Sequence, residues 1–280
     1  MKLLKISICS IFLLAIGLFY IKKSLVSHIQ LSLFTAIDIP ETHLIGQENC
    51  SLQHLACIMD GNRRWARARG LNAWEGHKQG IKAVQTIGEF CIEKNIKYLT
   101  LYVLSPENFE RRSAQEIHYL FDLMVQEAKK GSQEFIKRGI RVRFLGDRSI
   151  FPSHLLPLLE HIENETASMN TLQLTFLFCY GARQEIVATT KKIVQEIKEG
   201  HITESDITPD LFKNYLWTHE LPDPDLVIRT GKVSRLSNFL LYQAAYSEIY
   251  MVDCFWPEIT KEHLQKAYDT FIQSERRFGA

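Results

Sequence analysis

The chain has 280 residues, 46% hydrophobic and 23% charged, enough to bury the core of one large domain. Its 33 lysines and arginines face 32 acids, which excludes a general nucleic-acid binder with a basic excess and makes any basic site local. The cysteines, Cys9, Cys50, Cys57, Cys91, Cys179 and Cys254, form no CxxC pair and read as reduced core thiols of a reducing compartment, not as a disulfide framework or zinc site.

Ile6 to Ile21 is uncharged, with Lys2 and Lys5 before it and Lys22 and Lys23 after. Such a run is slightly short for a membrane span and long for a signal-peptide core, and no small-x-small cleavage site follows. Residues 1–23 therefore stand as a hydrophobic leader or membrane anchor, 24–50 as a linker and 51–280 as the folded domain. An uncleaved leader and a wrongly assigned start stay open beside the anchor.

From His54 onward, strand-like and helix-like patterns alternate. Apolar runs predict strands at 54–59, 98–104, 140–146, 172–178, 225–230 and 248–252. Between them, helical periodicity predicts helices at about 77–94, 114–138, 153–168, 181–199, 208–217 and 260–277. In the second helix Ile117, Leu120, Phe121, Met124, Val125 and Ala128 form one apolar stripe. Near-continuous apolar strands separated by helices imply a single α/β domain, its mostly parallel central sheet flanked by helices. Ligands of such sheets sit at the carboxyl ends of the strands, so the residues just after each strand carry the functional reading.

The first strand runs into Asp60-Gly61-Asn62-Arg63-Arg64-Trp65. Gly61 and Asn62 permit a tight turn whose N–H groups face a ligand, and a following helix aims its positive end at the same point. Arg64 offers a fork suited to phosphate. Asp60 then serves either as a helix cap or as the holder of a Mg²⁺ that lets a carboxylate sit beside phosphate. His77 follows Gly76 at the predicted start of a helix, as a phosphate donor or a packing residue. The second strand ends in "LSPENFERR", with Ser105, Glu107 and Asn108 able to bond a ligand and Arg111 and Arg112 basic; a capped turn with solvated arginines explains it nearly as well. The fifth strand ends in "IRTGKVSRLSNF", where Arg229, Arg235 and Ser237 share a loop leading into a helix expected near Asn238. Glu248 precedes the last strand, as a surface group or as a second ligand of the Asp60 metal. There is no GxxxxGK[ST], no GxGxxG after the first strand and no GxSxG.

"HLACIMDGNRRWARARG", "GHKQG", "LTLYVLSPENF", "DLVIRTGKVSRLSNFLLYQAAYSEIY", "WPEI" and "ERRFG" together resemble the cis-prenyltransferase (isoprenyl transferase) family, in order from about His54 to Gly279. The resemblance implies repeated condensation of isopentenyl diphosphate onto an allylic diphosphate such as farnesyl diphosphate, with Mg²⁺, each new double bond being cis. It implies that Asp60 holds Mg²⁺ and assists departure of the allylic diphosphate. Gly61, Asn62, Arg63 and Arg64 line that site beside Trp65 and His77, with Ala73 at a further diphosphate-binding position. Asn108 matches a residue assigned to proton removal, although an amide is a poor base and positioning suits it better. Ser105, Pro106, Glu107, Phe109 and Arg111 match substrate contacts, Arg229, Arg235, Leu236 and Ser237 the isopentenyl diphosphate site, and Glu248 a second metal-linked acid.

Four departures accompany the match. Ala73 replaces a usual Arg, with Arg69 or Lys78 as candidate substitutes, and Lys232-Val233 replaces Gly-Glu. The loop at "FERRSAQE" is one residue longer, so Arg111 and Arg112 can exchange roles, and Arg63 stands at a frequent Gly. An apolar tunnel is expected between the 117–128 stripe and "LQLTFLF", with its length setting product length and the product released into membrane. The resemblance further implies a homodimer completed by the "RRFGA" tail, working in the cytoplasm at the cytoplasmic face of a membrane. The alternatives are a non-catalytic partner subunit of a heteromeric enzyme and an enzyme acting on another phosphorylated substrate.

Overall fold

The computed structural model describes residues 51–274; the segments 1–23 and 24–50 and the "RRFGA" tail lie outside the described residues. In chain order the elements are β1 (His54–Ile58), α1 (Asn62–Arg67), α2 (Ala73–Glu93), β2 (Tyr98–Tyr102), α3 (Pro106–Arg111), α4 (Ala114–Lys137), β3 (Ile140–Leu145), α5 (Leu156–Glu165), β4 (Leu172–Leu177), α6 (Ala182–Lys198), α7 (Pro209–Asn214), β5 (Leu226–Arg229), β6 (Glu248–Met251) and α8 (Lys261–Gln273). The strands form one sheet in the order β3-β4-β2-β1-β5-β6, and every neighbouring pair is parallel.

This sheet explains the apolar runs. All five residues of β1 are buried, because a central strand of a covered parallel sheet has no wet face. On β4, Leu172, Leu174 and Phe176 face a cavity, while Leu177 joins a cluster with Ile58, Val227 and Phe239 on the other side, the period-two alternation of a strand. The described cysteines Cys57, Cys91, Cys179 and Cys254 are free, buried thiols.

Three local expectations are corrected. Helix α2 begins at Ala73, so His77 sits in its second turn rather than at its start. Residues 106–111 form a short helix, not merely a turn: Ser105 Oγ accepts from Asn108 N at 3.1 Å, and Pro106 suits the first turn. No helix forms near Asn238. Ser237, Asn238 and Leu240 have φ of 52°, 64° and 39°, a left-handed conformation incompatible with a right-handed helix. Asn238 instead accepts from the first turn of α6, with its carbonyl from Ala182 N and its Oδ1 from Arg183 N, both at 2.9 Å.

Strand order reverses between β1, whose chain continues to β2 on one side, and β5 on the other. The crevice at the carboxyl ends of that pair is where such sheets bind ligands.

Candidate active site

Asp60 occupies that crevice. Its Oδ1 accepts from Arg64 Nη2 at 2.9 Å and its Oδ2 from Arg229 Nη2 at 2.8 Å, so two strand ends converge on one carboxylate. Arg229 is buried and also donates to the Arg235 carbonyl and to Ser237 Oγ. Arg64 Nη1 donates to the Gly231 carbonyl at 2.6 Å. Gly231 allows this approach, since a β-carbon there would lie 2.6 Å from Arg64 Nη2 and 2.9 Å from Asp60. Gly61 has φ 111° and packs under Phe255, so the turn needs glycine on both conformational and steric grounds. Arg64 lies 5.3 Å from the centre of the Phe255 ring.

The "GHKQG" glycines bring α2 against this turn. A β-carbon at Gly76 would lie 2.0 Å from the Asn62 carbonyl oxygen, and one at Gly80 would lie 2.6 Å from Asn62 Oδ1. Trp256 Nε1 donates to the Gly80 carbonyl at 2.9 Å and closes the contact.

A second network runs from the end of β2. Asn108 Nδ2 donates to Ser105 Oγ at 2.6 Å, and Asn108 Oδ1 accepts from Arg112 Nη2 at 3.0 Å. Both ends of this amide are engaged, which suits positioning rather than proton removal. Glu116 Oε1 lies within 3.5–3.7 Å of His77 Nε2, Arg112 Nε and Arg63 Nε, distances of charge attraction rather than of good hydrogen bonds. The His77 ring, with Arg112 and Arg63 behind it, holds the Glu116 carboxyl below its ordinary range against the effect of burial. Burial pushes the His77 pKa down. Several buried polar atoms here lack a hydrogen-bond partner among the described residues: Asn62 Oδ1, Arg63 Nε, His77 Nε2, Arg112 Nη1 and Arg229 Nε. Glu116 Oε1 is unsatisfied as well and faces Arg63 Nε, His77 Nε2 and Arg112 Nε at ion-pair distance. Arg112 Nη1 and Arg229 Nε are left as buried cationic donors, and leaving such an atom unsatisfied costs about 1–3 kcal/mol.

Asn62 and His77 also open onto a cavity of ≈ 640 Å³ between α2, α4 and the sheet. Its lining on α2 runs from His77 to Ile92, about 22 Å of helix at 1.5 Å per residue. Of the sequence stripe, Leu120 and Met124 line it, whereas Phe121 packs on Phe178 at 6.0 Å.

The remaining sequence candidates are distributed as follows. Trp65 is half-buried under the Arg69 guanidinium, 4.4 Å above its ring. Glu107 accepts from Asn238 Nδ2 at 3.0 Å, and Leu236 packs against the buried cluster around Tyr102 and Phe239. Pro106 and Phe109 are half-buried on α3. Arg235 is exposed and reaches the cluster through its carbonyl. Arg111 is exposed while Arg112 turns inward toward Glu116. Arg69 pairs with Glu258 at 2.9 Å and Lys78 is exposed, so neither fills the place of the arginine missing at Ala73. Lys232 Nζ lies 3.6 Å from Asp253 and near the Phe255 ring, and Val233, at the position where the resemblance expects an acid, is half-buried.

Glu248 lies apart from the Asp60 cluster as well. It is the exposed first residue of β6, level with Leu226 and through it with Leu55. Asp60 lies five strand positions further on, about 16 Å away along the sheet, so the two do not share a metal ion within one chain. Glu116 is the residue that sequence reasoning missed. Its only sequence signal was an acid at the start of a helix just after two arginines.

Residues 58–279 match the family model described as "Putative undecaprenyl diphosphate synthase". The (2E,6E)-farnesyl-diphosphate-specific ditrans,polycis-undecaprenyl-diphosphate synthase of Xylella fastidiosa is 40% identical over 227 residues, covering 81% of this chain and 89% of that protein. The geranylgeranyl-diphosphate-specific tritrans,polycis-undecaprenyl-diphosphate synthase of Thermococcus kodakarensis is 41% identical over 260 residues, 91% of this chain and 98% of that protein. The crystal structure of lavandulyl diphosphate synthase from Lavandula x intermedia, in complex with dimethylallyl diphosphate, superposes with a TM-score of 0.80 at 30% identity, covering 82% of this chain and 99% of that one.

Proposed function

The chain belongs to the undecaprenyl diphosphate synthase family, whose isoprenyl transferases condense isopentenyl diphosphate with an allylic diphosphate, and from that premise we propose that this enzyme makes a cis-polyprenyl diphosphate from farnesyl diphosphate in a Mg²⁺-dependent reaction. The observation that carries the reading is one junction. A carboxylate clamped by Arg64 and Arg229 is flanked in the chain by Met59 and Asn62, which with His77 line one end of a largely apolar cavity. A charged diphosphate head and an apolar tail are what such a junction holds.

In the condensation, the double-bond electrons of isopentenyl diphosphate form a new carbon–carbon bond to the allylic C1. The C1–O bond breaks with its electron pair leaving on diphosphate, and a proton is lost from the isopentenyl unit. Arg63, Arg64, His77 and the first N–H groups of α1 surround the leaving diphosphate, placing donors where negative charge develops. Arg229 and Ser237 hold the second diphosphate beside it. Asn108 fixes Ser105 and Arg112 at the edge of the site, and the tunnel excludes water from the reacting carbons.

Mg²⁺ fits Asp60. The carboxylate is a hard oxygen donor, partly exposed, and each oxygen keeps lone-pair capacity beyond its one arginine. One protein carboxylate with substrate phosphates is a usual Mg²⁺ arrangement, and the ion would supply charge neutralisation to the departing diphosphate.

We propose a homodimer through β6. It is the outer strand of the sheet and exposes Ile249 and Met251 at 44% and 38%, an open apolar edge of the kind proteins cover. Membrane association on product release is proposed from the apolar product alone; among the described residues no helix is long and apolar enough to cross a membrane. Retention of Asp60, Asn62 and Arg229 in one connected site favours the enzyme over a non-catalytic partner subunit. The reading is tested by incubating the full chain with labelled isopentenyl diphosphate, farnesyl diphosphate and Mg²⁺. Extractable polyprenyl product that disappears with chelator supports it; folded protein that makes none contradicts it.

A further inference from the structure

The segment between β6 and α8, Cys254–Glu258, supplies none of the groups read above as diphosphate ligands, yet it ties together the pieces that do. Gly231 N donates to the Cys254 carbonyl at 2.7 Å, and Trp256 N donates to the Asp60 carbonyl at 3.0 Å. The Trp256 indole is 1% exposed, and its Nε1 reaches the Gly80 carbonyl at 2.9 Å. Three stretches of the site, at 60, 80 and 231, therefore hang on consecutive residues of one short strut. Glu258 fixes the strut in turn: its Oε2 accepts from Phe255 N at 3.1 Å and its Oε1 from Arg69 Nη2 at 2.9 Å.

Phe255 makes the most specific contact of the five. Its Cδ1 would lie 2.7 Å from a β-carbon on Gly61, so ring and turn are in full contact, and Arg64 Cζ stands over the ring at 5.3 Å from its centre. Arg64 is a long side chain, 42% exposed, and holding it in one conformation costs rotamer freedom. Its hydrogen bonds run to Asp60 Oδ1 and the Gly231 carbonyl, both at the diphosphate site, where an entering anion competes for the same N–H groups. An aromatic face does not compete. It attracts the cation electrostatically and leaves the N–H groups of the guanidinium to oxygen ligands.

We infer that Phe255 is a positioning residue for the allylic diphosphate: its ring face presets the Arg64 guanidinium, and the Cys254–Glu258 strut ties that ring to the Asp60 turn. The inference rests on the isoprenyl transferase reading above for the identity of the ligand. Phe255 acts through Arg64 and is not itself a ligand of the diphosphate. Its effect therefore belongs to the subsite that Arg64 serves. Binding of farnesyl diphosphate registers it, whereas binding of isopentenyl diphosphate, which depends on Arg229 and Ser237, does not.

The experiment uses the full chain with Phe255→Leu and, by nonsense suppression, with mono-, di- and trifluorinated phenylalanine at position 255. Fluorination weakens the ring face at nearly constant size, a change that a merely structural role does not register. Calorimetry gives Kd for farnesyl diphosphate alone, and steady-state kinetics give KM for each substrate. Phe255→Leu weakens farnesyl diphosphate about three- to tenfold, the fluorinated series rises stepwise toward that value, and KM for isopentenyl diphosphate stays within about twofold. Lys232 Nζ lies 5.8 Å from the same ring, so the series is repeated in Lys232→Gln, where the stepwise rise persists. A flat series overturns the inference, as does a rise that vanishes in Lys232→Gln or equal increases in both KM values. If Phe255→Leu does not fold, the fluorinated series decides alone. A wild type that binds farnesyl diphosphate but makes no polyprenyl product refutes the function reading and leaves the calorimetric test standing; one that binds none refutes both.

Discussion

Asp60 and Arg229 meet at 2.8 Å across the carboxyl ends of β1 and β5, with Arg229 only 3% exposed. The guanidinium is spread over three partners, Asp60, Ser237 and the Arg235 carbonyl, and lysine's single ammonium cannot reproduce that fork. Charge-assisted hydrogen bonds contribute about 1.5–3 kcal/mol each. Arg229→Lys should therefore raise KM for isopentenyl diphosphate about 10- to 100-fold. Steady-state kinetics with isopentenyl diphosphate varied checks this, and an unchanged KM would remove Arg229 from the site.

Arg112, not Arg111, should matter for activity. Arg112 touches Asn108 and Glu116, whereas Arg111 points to solvent. Arg112→Ala is expected to lower kcat/KM by about tenfold or more, in keeping with the loss of one charged hydrogen bond. Arg111→Ala is expected to stay within about twofold, since exposed pairs contribute about 0–1 kcal/mol. The reverse ranking would show that the longer loop rearranges on substrate binding.

Stability should fall in acid through His54. Burial lowers its pKa from 6.5 to about 4, although the Pro222 carbonyl and Thr100 Oγ1 lie 2.7 and 2.8 Å from its ring nitrogens. The folded state thus keeps His54 neutral while the unfolded state binds a proton. The stabilisation is complete above pH 6.5 and is lost as pH falls from 6.5 toward 4, amounting to about 3 kcal/mol for a shift of this size. Denaturant unfolding at pH 7 and pH 4.5 should show this loss in wild type and a smaller one in His54→Gln. Equal pH slopes in the two proteins would contradict it.

Gly76→Ala and Gly88→Ala should move stability in opposite directions. The first drives a methyl group into the Asn62 carbonyl, at a distance of 2.0 Å that demands separation of α1 and α2. Overpacking of this kind costs about 1–3 kcal/mol, and activity should fall with it because the Asp60 turn shifts. Gly88→Ala enters open space and should stabilise by about 1 kcal/mol through helix propensity. Thermal or denaturant midpoints of the two variants decide the matter.

Much of this architecture was legible in the sequence, and the failures have physical causes. Buried parallel strands write themselves as continuous apolar runs, so the six expected runs at 54–59 through 248–252 each contain an observed strand. The first turn of α2 was missed because Ala73, Trp74 and Glu75 precede the apolar periodicity. Ser237 and Asn238 resemble a helix cap, yet Asn tolerates the left-handed conformation and serves α6 instead. Glu248 was read as a surface group or a second metal-linked acid, whereas as the first residue of a parallel strand it stands at the amino end of the sheet, far from Asp60 of the same chain. Glu116 was hidden because its surroundings come from α1, α2 and the α3–α4 junction, which only tertiary structure assembles.

The central claim is that Asp60 anchors diphosphate chemistry at the mouth of an apolar tunnel, and Asp60→Asn tests it most directly. The substitution keeps the side-chain volume and removes the charge that pairs Arg64 and Arg229 and that would hold Mg²⁺. Condensation of isopentenyl diphosphate with farnesyl diphosphate by the full chain should fall about a hundredfold or more, consistent with several kcal/mol of lost transition-state stabilisation. Polyprenyl synthesis at the wild-type rate by folded Asp60→Asn would contradict the account.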